Sequence, residues 1–348
     1  MGATTATATA SAGWDWLSRF PQDGGVALIS GDRPFAHEEG AYDDQYGVEA
    51  ADESGLGIAN LLRKFGSDFG GPALELGCGT GKATTGLCKS AAFPGFLITD
   101  SSRTFVDLTR DKLRRNGIGL DPVRFAVLSH LDLDKLPPSS FSAVVLRSTL
   151  HHFDDVPQWI KAAARTLRPG GTLVFEEPCS SGYLLMGLIA KVAATAWFNG
   201  LRRGERGQAA ELAEVMQRYH RDDVDKSEWE DKHVFRPDEM MVWARDAGLA
   251  MHFLPNVTFE AYAHTADPKP DNMDFTKFVQ DYMRYCMGYG AASAERIVKA
   301  VQPLCAYVAE ACRGKREPYL VGTFLLQKPP AMRCPDGAGV SPPASAGL

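Results

Sequence analysis

Gly77, Gly79 and Gly81 stand at alternate positions directly after the run Ala73, Leu74, Glu75, Leu76, and a stretch of helical pattern comes after them. With no Cβ atoms in the way, such a segment can turn tightly and bring bare backbone against a ligand. That chemistry suits a nucleotide, and the spacing narrows which one. A dinucleotide fingerprint needs a third glycine three residues after Gly79, where Lys82 stands. A phosphate-cradling loop needs glycine five residues before Gly81 and Ser or Thr after Lys82, where the chain has Leu76 and Ala83. Both phosphate readings fail. Glu75, an acid inside an apolar run, suits a ligand with a cationic group better than a pyrophosphate.

Other residues could carry chemistry at the ends of further apolar runs. Asp100 closes the run from Gly95, ~20 residues after the glycine loop, where nucleotide folds of this kind place a ribose-binding acid. Its carboxylate can accept two hydrogen bonds from a vicinal diol; the alternative is a helix cap for the segment from Ser102. Asp132 and Asp134 precede Leu136 and Pro137, after the run Val123 to Leu128. His151 and His152 come after Phe141 to Leu146, and Glu176 and Glu177 after the run from Thr172. These are candidate proton acceptors, with backbone hydrogen bonding or a solvated, capping role as the competing reading.

The glycine segment Leu74 to Gly81 resembles the first motif of the class I S-adenosylmethionine-dependent methyltransferases, and the likeness continues in order through most of residues 72–178. The resemblance implies S-adenosylmethionine as cofactor, held by Glu75, Gly77, Gly79, Gly81, Asp100 and Ser101. It implies adenine recognition by Asp132 and the backbone of Leu133, with Asp134 as the rival acid, and it adds Arg147 to the cofactor set. Tyr42, in a segment ending at Tyr46, resembles a tyrosine-bearing segment that closes over the methionine end of the cofactor. His151, His152 and Glu176 are the expected catalytic residues. Leu167, Pro169, Gly170 and Gly171 resemble the family's later turn.

The elements that must position these residues can be placed on the family's sheet. The resemblance implies an α/β fold: a doubly wound, seven-stranded, mostly parallel sheet with its last two strands antiparallel, plus a helical lid. The expected organisation is a flexible leader (1–40), an N-terminal helical segment (41–71), the cofactor-binding core (72–180) and lid helices (181–233). A core helix and strand six (234–262), a helical lid insertion (263–317), strand seven (318–328) and a loose tail (329–348) complete it. Pro157 to Leu167 reads as a helix stopped by Pro169 and Gly170. Phe278, Tyr282, Tyr285 and Tyr289 fall on one helical stripe, read mainly as packing with one tyrosine reaching the pocket. A further helix runs from about Ala292 to Cys312, bent at Pro303.

Composition limits the partners. The 348 residues carry a formal net charge of -6, without the basic balance that a phosphate backbone demands, so nucleic acid is not the expected substrate. Arg147, Ser148 and Thr149 also stand where base and amide methyltransferases carry a D/N-P-P-F/Y motif. Seven scattered cysteines without a C-x-x-C pair suit a reducing, cytoplasmic setting, and the eight histidines form no metal-ligand array, so no metal is expected. The apolar stretch Tyr183 to Phe198 is shorter than a membrane span and interrupted by Lys191. The expected activity is methylation of a small apolar or aromatic metabolite at oxygen, carbon or nitrogen. The alternatives are a non-catalytic cofactor-binding regulator or partner subunit and, against the glycine spacing, a nicotinamide oxidoreductase.

Overall fold

The computed structural model describes residues 13–33, 52–195, 200–257, 275–311 and 318–331. Its strands are β1 (Gln22–Asp23), β2 (Val26–Leu28), β3 (Ala73–Leu76), β4 (Phe96–Asp100), β5 (Val123–Val127), β6 (Phe141–Arg147), β7 (Leu167–Pro178), β8 (Ala250–Val257) and β9 (Val321–Gln327). They form one sheet of order β1-β2-β5-β4-β3-β6-β7-β9-β8. Every residue of β3 and β4, and all of β6 before Arg147, is buried, because the strands at the centre of such a sheet are covered on both faces. From β2 through β7 neighbouring strands run parallel, and β9 is inserted antiparallel between β7 and β8.

Among the described residues the sheet has nine strands where the resemblance implies seven, and the expected antiparallel pair is present as β8 and β9. The additional two form a hairpin within the stretch expected to be a flexible leader. Val26 and Ala27 are buried, β2 lies parallel to β5, and the amides of Ile29 and Ser30 both donate to the Val127 carbonyl. Short apolar runs join a sheet edge when their side chains find cover, and Trp14 beside Phe141 supplies part of it.

The helices are α1 (Asp52–Lys64), α2 (Thr84–Lys89), α3 (Arg103–Arg115), α4 (Val156–Thr166), α5 (Ser180–Thr195), α6 (Arg203–Tyr219), α7 (Pro237–Asp246), α8 (Phe275–Tyr285) and α9 (Ala291–Ala311). Asp155 caps α4 by accepting from the Gln158 amide, with Pro157 in the first turn. After α4, the Pro169–Gly171 segment sits in a register shift of β7 against β6. From β3 the chain steps outward to β4 and β5, then returns to the opposite side of β3 for β6 and β7. The connections therefore diverge at the carboxyl ends of β3 and β6 and leave a crevice there.

The two regions expected to roof the site share one core. Met186 and Ile189 of α5, Leu212 and Met216 of α6, Val279 and Met283 of α8, and Ile297 and Val301 of α9 are buried together in a cluster separate from those around the sheet. Among the described residues no helix is long and apolar enough to cross a membrane. The aromatic stripe is broken. Tyr282 and Tyr289 are buried, whereas Tyr285 is 45% exposed, with the Arg284 guanidinium over its ring. Helix α8 ends at Tyr285, so Tyr289 reaches the core from the next turn and not from the same helical face. Helix α9 runs through Pro303.

Candidate functional site

The glycine loop begins where β3 ends. Gly77 has φ +74°, and a Cβ there would meet the Thr149 side chain at 2.6 Å. No side chain fits, so the loop lies directly against the segment leaving β6. Asp100, at the end of β4, holds the next turn: Oδ2 accepts from the Gly79 amide at 2.9 Å and Oδ1 from the Ser102 amide at 2.9 Å. Ser102 caps α3 by accepting from the Phe105 amide, which removes the capping explanation for Asp100. Thr109 completes the support by donating to the Gly79 carbonyl. A Cβ on Gly79 would meet nothing within 4 Å, so the face of the loop opposite these supports is open.

Glu75 lies beneath this loop, 4% exposed, and its Oε2 has no hydrogen-bond partner. Burial pushes its carboxyl up to about 8, and the charge of Asp100 adds to the rise. An orphaned carboxyl group beside an open glycine cradle fits a ligand carrying an amino group, whose charge would return the acid to its carboxylate form. Asp132 sits in a short 3-10 turn. Burial opposes its charge, but the Ser30 hydroxyl at 2.6 Å and the Lys135 ammonium at 3.1 Å hold it below the usual carboxylate range. Leu133 is buried next to it and Asp134 is exposed. Ser101 is half-buried, and its carbonyl accepts from the Arg33 amide. Tyr42 lies outside the described residues.

Glu176 and Glu177, the two carboxylate candidates at the end of β7, are separated by the structure. Residues 176 and 177 point to opposite faces of β7, as strand geometry requires. Glu176 is in register with Arg147 and lies 3.4 Å from its guanidinium. Glu177, fully buried, is the carboxylate that meets the histidine segment. Its Oε1 accepts from the amides of Thr149 (2.9 Å) and Leu150 (2.6 Å), and its Oε2 lies 2.5 Å from His151 Nδ1.

Asp231, which no sequence motif singles out, completes the cluster. From the segment after α6 it places Oδ1 3.3 Å from His151 Nε2 and 3.3 Å from His152 Nδ1. The segment is fastened there by the Lys232 amide donating to the His151 carbonyl and by His152 Nδ1 donating to the Glu230 carbonyl at 2.9 Å. Burial opposes charge on His151, but Glu177 and Asp231 on either side carry it up to about 10. Burial and the neighbouring imidazolium push His152 down to about 4. Asp231, despite its burial, is held down near 2 by the His151 imidazolium. At neutral pH His151 is therefore charged. His152 is neutral, with its proton on Nδ1 and a lone pair on Nε2. Two like side chains pushed apart in this way can divide an acid and a base role.

His151, His152 and Asp231 offer ligand atoms within 4.8 Å of one another, a spacing a metal ion could also use. Both nitrogens of His151 already face carboxylates, an arrangement that a shared proton satisfies. The other oxygen of Asp231 accepts from the Tyr219 hydroxyl at 3.1 Å, and Tyr219 lies 3.2 Å from the Tyr282 hydroxyl. These three residues line a cavity of about 280 Å³, together with Val215, Trp229 and Met287. The cavity shares Asp231 with the histidines, and the histidines come just after Thr149, on which the glycine loop rests. The sequence signal for this wall is Trp229 among the acids of the segment after α6.

Residues 74–175 match the protein family described as a methyltransferase domain. Over 143 residues the chain is 33% identical to the reducing polyketide synthase Preu2 of Preussia isomera, covering 39% of this chain and 6% of that protein. Over 180 residues it is 27% identical to the ubiquinone biosynthesis O-methyltransferase of Methylococcus capsulatus, covering 52% of this chain and 63% of that one. The chain thus spans less than two thirds of the length of either relative. Among solved structures it is similar to the YcgJ protein from Bacillus subtilis, with a TM-score of 0.47 at 14% identity, covering 79% of this chain and 98% of that one.

Proposed function

We propose, from the premise that the chain carries a class I S-adenosylmethionine-dependent methyltransferase domain, that it transfers the methyl group of S-adenosylmethionine to an oxygen, carbon or nitrogen of a small apolar or aromatic metabolite. The observation that carries this reading is the contact of Gly77 with Thr149, which sets the open glycine cradle directly against the His151–His152 segment. Cofactor chemistry and proton chemistry are thereby neighbours.

Glu75 would receive the cationic end of the cofactor, Asp100 the ribose diol, and Asp132 with the Leu133 backbone the adenine. When bound, the sulfonium supplies an electrophilic methyl carbon. Proximity and orientation provide most of the acceleration in such a displacement, so the protein's task is to hold the acceptor and exclude water. Where the acceptor must lose a proton, the Nε2 lone pair of His152 is the available base, and the Glu177–His151–Asp231 chain fixes its neighbour's charge. The test is calorimetric titration of the full chain with S-adenosylhomocysteine and NAD, then cofactor-consumption assays against pooled metabolites. Binding of NAD and not of S-adenosylhomocysteine overturns the reading; cofactor binding with no turnover in any pool leaves a regulatory subunit instead.

A further inference from the structure

We infer that the cavity between α6, α8 and the Trp229–Asp231 segment binds a flat aromatic molecule through a hydrogen-bond donor, and that this donor is the hydroxyl of the methyl acceptor. The inference rests on the methyl-transfer reading and narrows it to hydroxylated rings.

The aromatic residues Trp229, Tyr219 and Tyr282 line this cavity with the apolar Val215 and Met287, within about 280 Å³. The exposed Arg218 guanidinium lies 5.0 Å from the centroid of the Trp229 ring and covers its edge of the site. A lining rich in aromatic side chains favours an aromatic ligand.

Counting protons on the buried side then selects the ligand's polar group. The Tyr219 hydroxyl spends its hydrogen on Asp231, because a carboxylate can only accept. The Tyr282 hydroxyl must therefore donate to Tyr219 across their 3.2 Å contact. What the wall of Tyr219, Tyr282 and Asp231 has left is lone pairs. The Cys286 thiol, pushed up by burial and by Asp231, is only a weak donor beside this wall, so an O–H is held better there than a group that only accepts. When the hydroxyl oxygen bonds the methyl carbon, the sulfur–methyl bond breaks and the hydroxyl proton passes to the Nε2 lone pair of His152. The O-methylated product has no donor left, so the same wall holds substrate and releases product. Asp231 also touches both histidines, which places the bound hydroxyl on the side of the cavity that the histidine cluster shares.

The test compares 2-naphthol with 2-methoxynaphthalene, the same ring system without the donor, by calorimetry on the full chain with and without S-adenosylhomocysteine. The naphthol should bind about tenfold more tightly, the difference one buried hydrogen bond makes. Tyr219→Phe should bring the two affinities to within about threefold of each other. Met287→Trp, which fills the cavity without touching the polar wall, should weaken both by about tenfold or more while S-adenosylhomocysteine still binds. Equal affinity of the wild type for the two probes overturns the proposal, as does naphthol binding that ignores Met287→Trp or keeps its advantage in Tyr219→Phe. Failure of S-adenosylhomocysteine to bind sinks the methyl-transfer reading instead, and the comparison run without it decides the cavity separately.

Discussion

Asp231 and His151 meet across the boundary between the helical unit and the sheet, Oδ1 to Nε2 at 3.3 Å. The other nitrogen of the same imidazole, Nδ1, meets Glu177, which also accepts from the amides of Thr149 and Leu150. One ring therefore joins the segment after α6 to the end of β7. The position of the helical unit and the charge state of the site are coupled through it.

That coupling gives a pH dependence with a definite sign. His151 has its folded value raised to about 10, above the ~6.5 of an unfolded histidine. Its contribution to stability is fully present below pH ~6.5 and is lost as pH rises through 10. His152, lowered to about 4, works the other way: its contribution is present above pH ~6.5 and lost as pH falls through 4. Melting temperature against pH should fall across the alkaline window in the wild type and more shallowly in His151→Gln. Glu177→Gln, which removes a buried partner, should cost about 3 to 5 kcal/mol and bring the His151 titration, observed by NMR, back toward neutrality. A His151 that titrates near 6.5 in the wild type contradicts the arrangement.

Gly77→Ala and Gly79→Ala should fail for different reasons. At Gly77 the added methyl strikes Thr149 on a backbone of positive φ, so the variant should be markedly destabilised. At Gly79 there is room, and only the φ of +49° penalises the change, by about 1 to 2 kcal/mol. The methyl there projects into the open side of the loop, so S-adenosylhomocysteine affinity should drop out of proportion to the small loss in melting temperature. Calorimetry and thermal denaturation on the same samples separate the two; intact affinity in Gly79→Ala would place the cofactor elsewhere.

The glycine loop, the position of Asp100 at a strand end and the central strands themselves are legible in the sequence because each depends on local spacing: apolar runs of strand length, acids at their ends, glycines where φ is positive. The histidine pair is legible as a motif but not its chemistry. Glu177 stands level with Glu176 in the sequence, because deciding between adjacent carboxylates requires knowing which face of β7 each takes. Asp231 lies 80 positions from His151 along the chain and reaches it only through the packing of α5, α6, α8 and α9 into one core. Helical spacing puts Tyr285 on the packing stripe, but α8 ends at that residue and the periodicity is lost there. The β1–β2 hairpin is hidden by its brevity.

The adenosine end of the site gives a graded series. Asp100→Ala should weaken S-adenosylhomocysteine binding by ~1.5 to 3 kcal/mol, since both the diol partner and the tether of Gly79 are lost. Asp132→Ala should cost less, because that carboxylate is already shared with Ser30 and Lys135, and Asp134→Ala should change little. Calorimetric titration of the three variants sets the order. If Asp134→Ala proved the most damaging of the loop pair, the alignment of the adenine segment would have to shift by two residues.

The histidines should fail differently in turnover. His152, neutral with its Nε2 lone pair, is the candidate base, and its low value leaves it unprotonated throughout the range from about pH 5 to 9. The wild-type rate of cofactor consumption with a hydroxyl acceptor should therefore show no acid limb near pH ~6.5. It should decline only as the His151 imidazolium loses its proton toward pH 10. His152→Gln should lower kcat by about two to four orders of magnitude with cofactor affinity kept, the usual worth of a positioned base. His151→Gln removes the cation between Glu177 and Asp231, so it should lower melting temperature and flatten the alkaline limb. An acid limb near ~6.5 in the wild type, or a kcat unchanged in His152→Gln, would take the base role away from His152 and leave proximity to account for the rate.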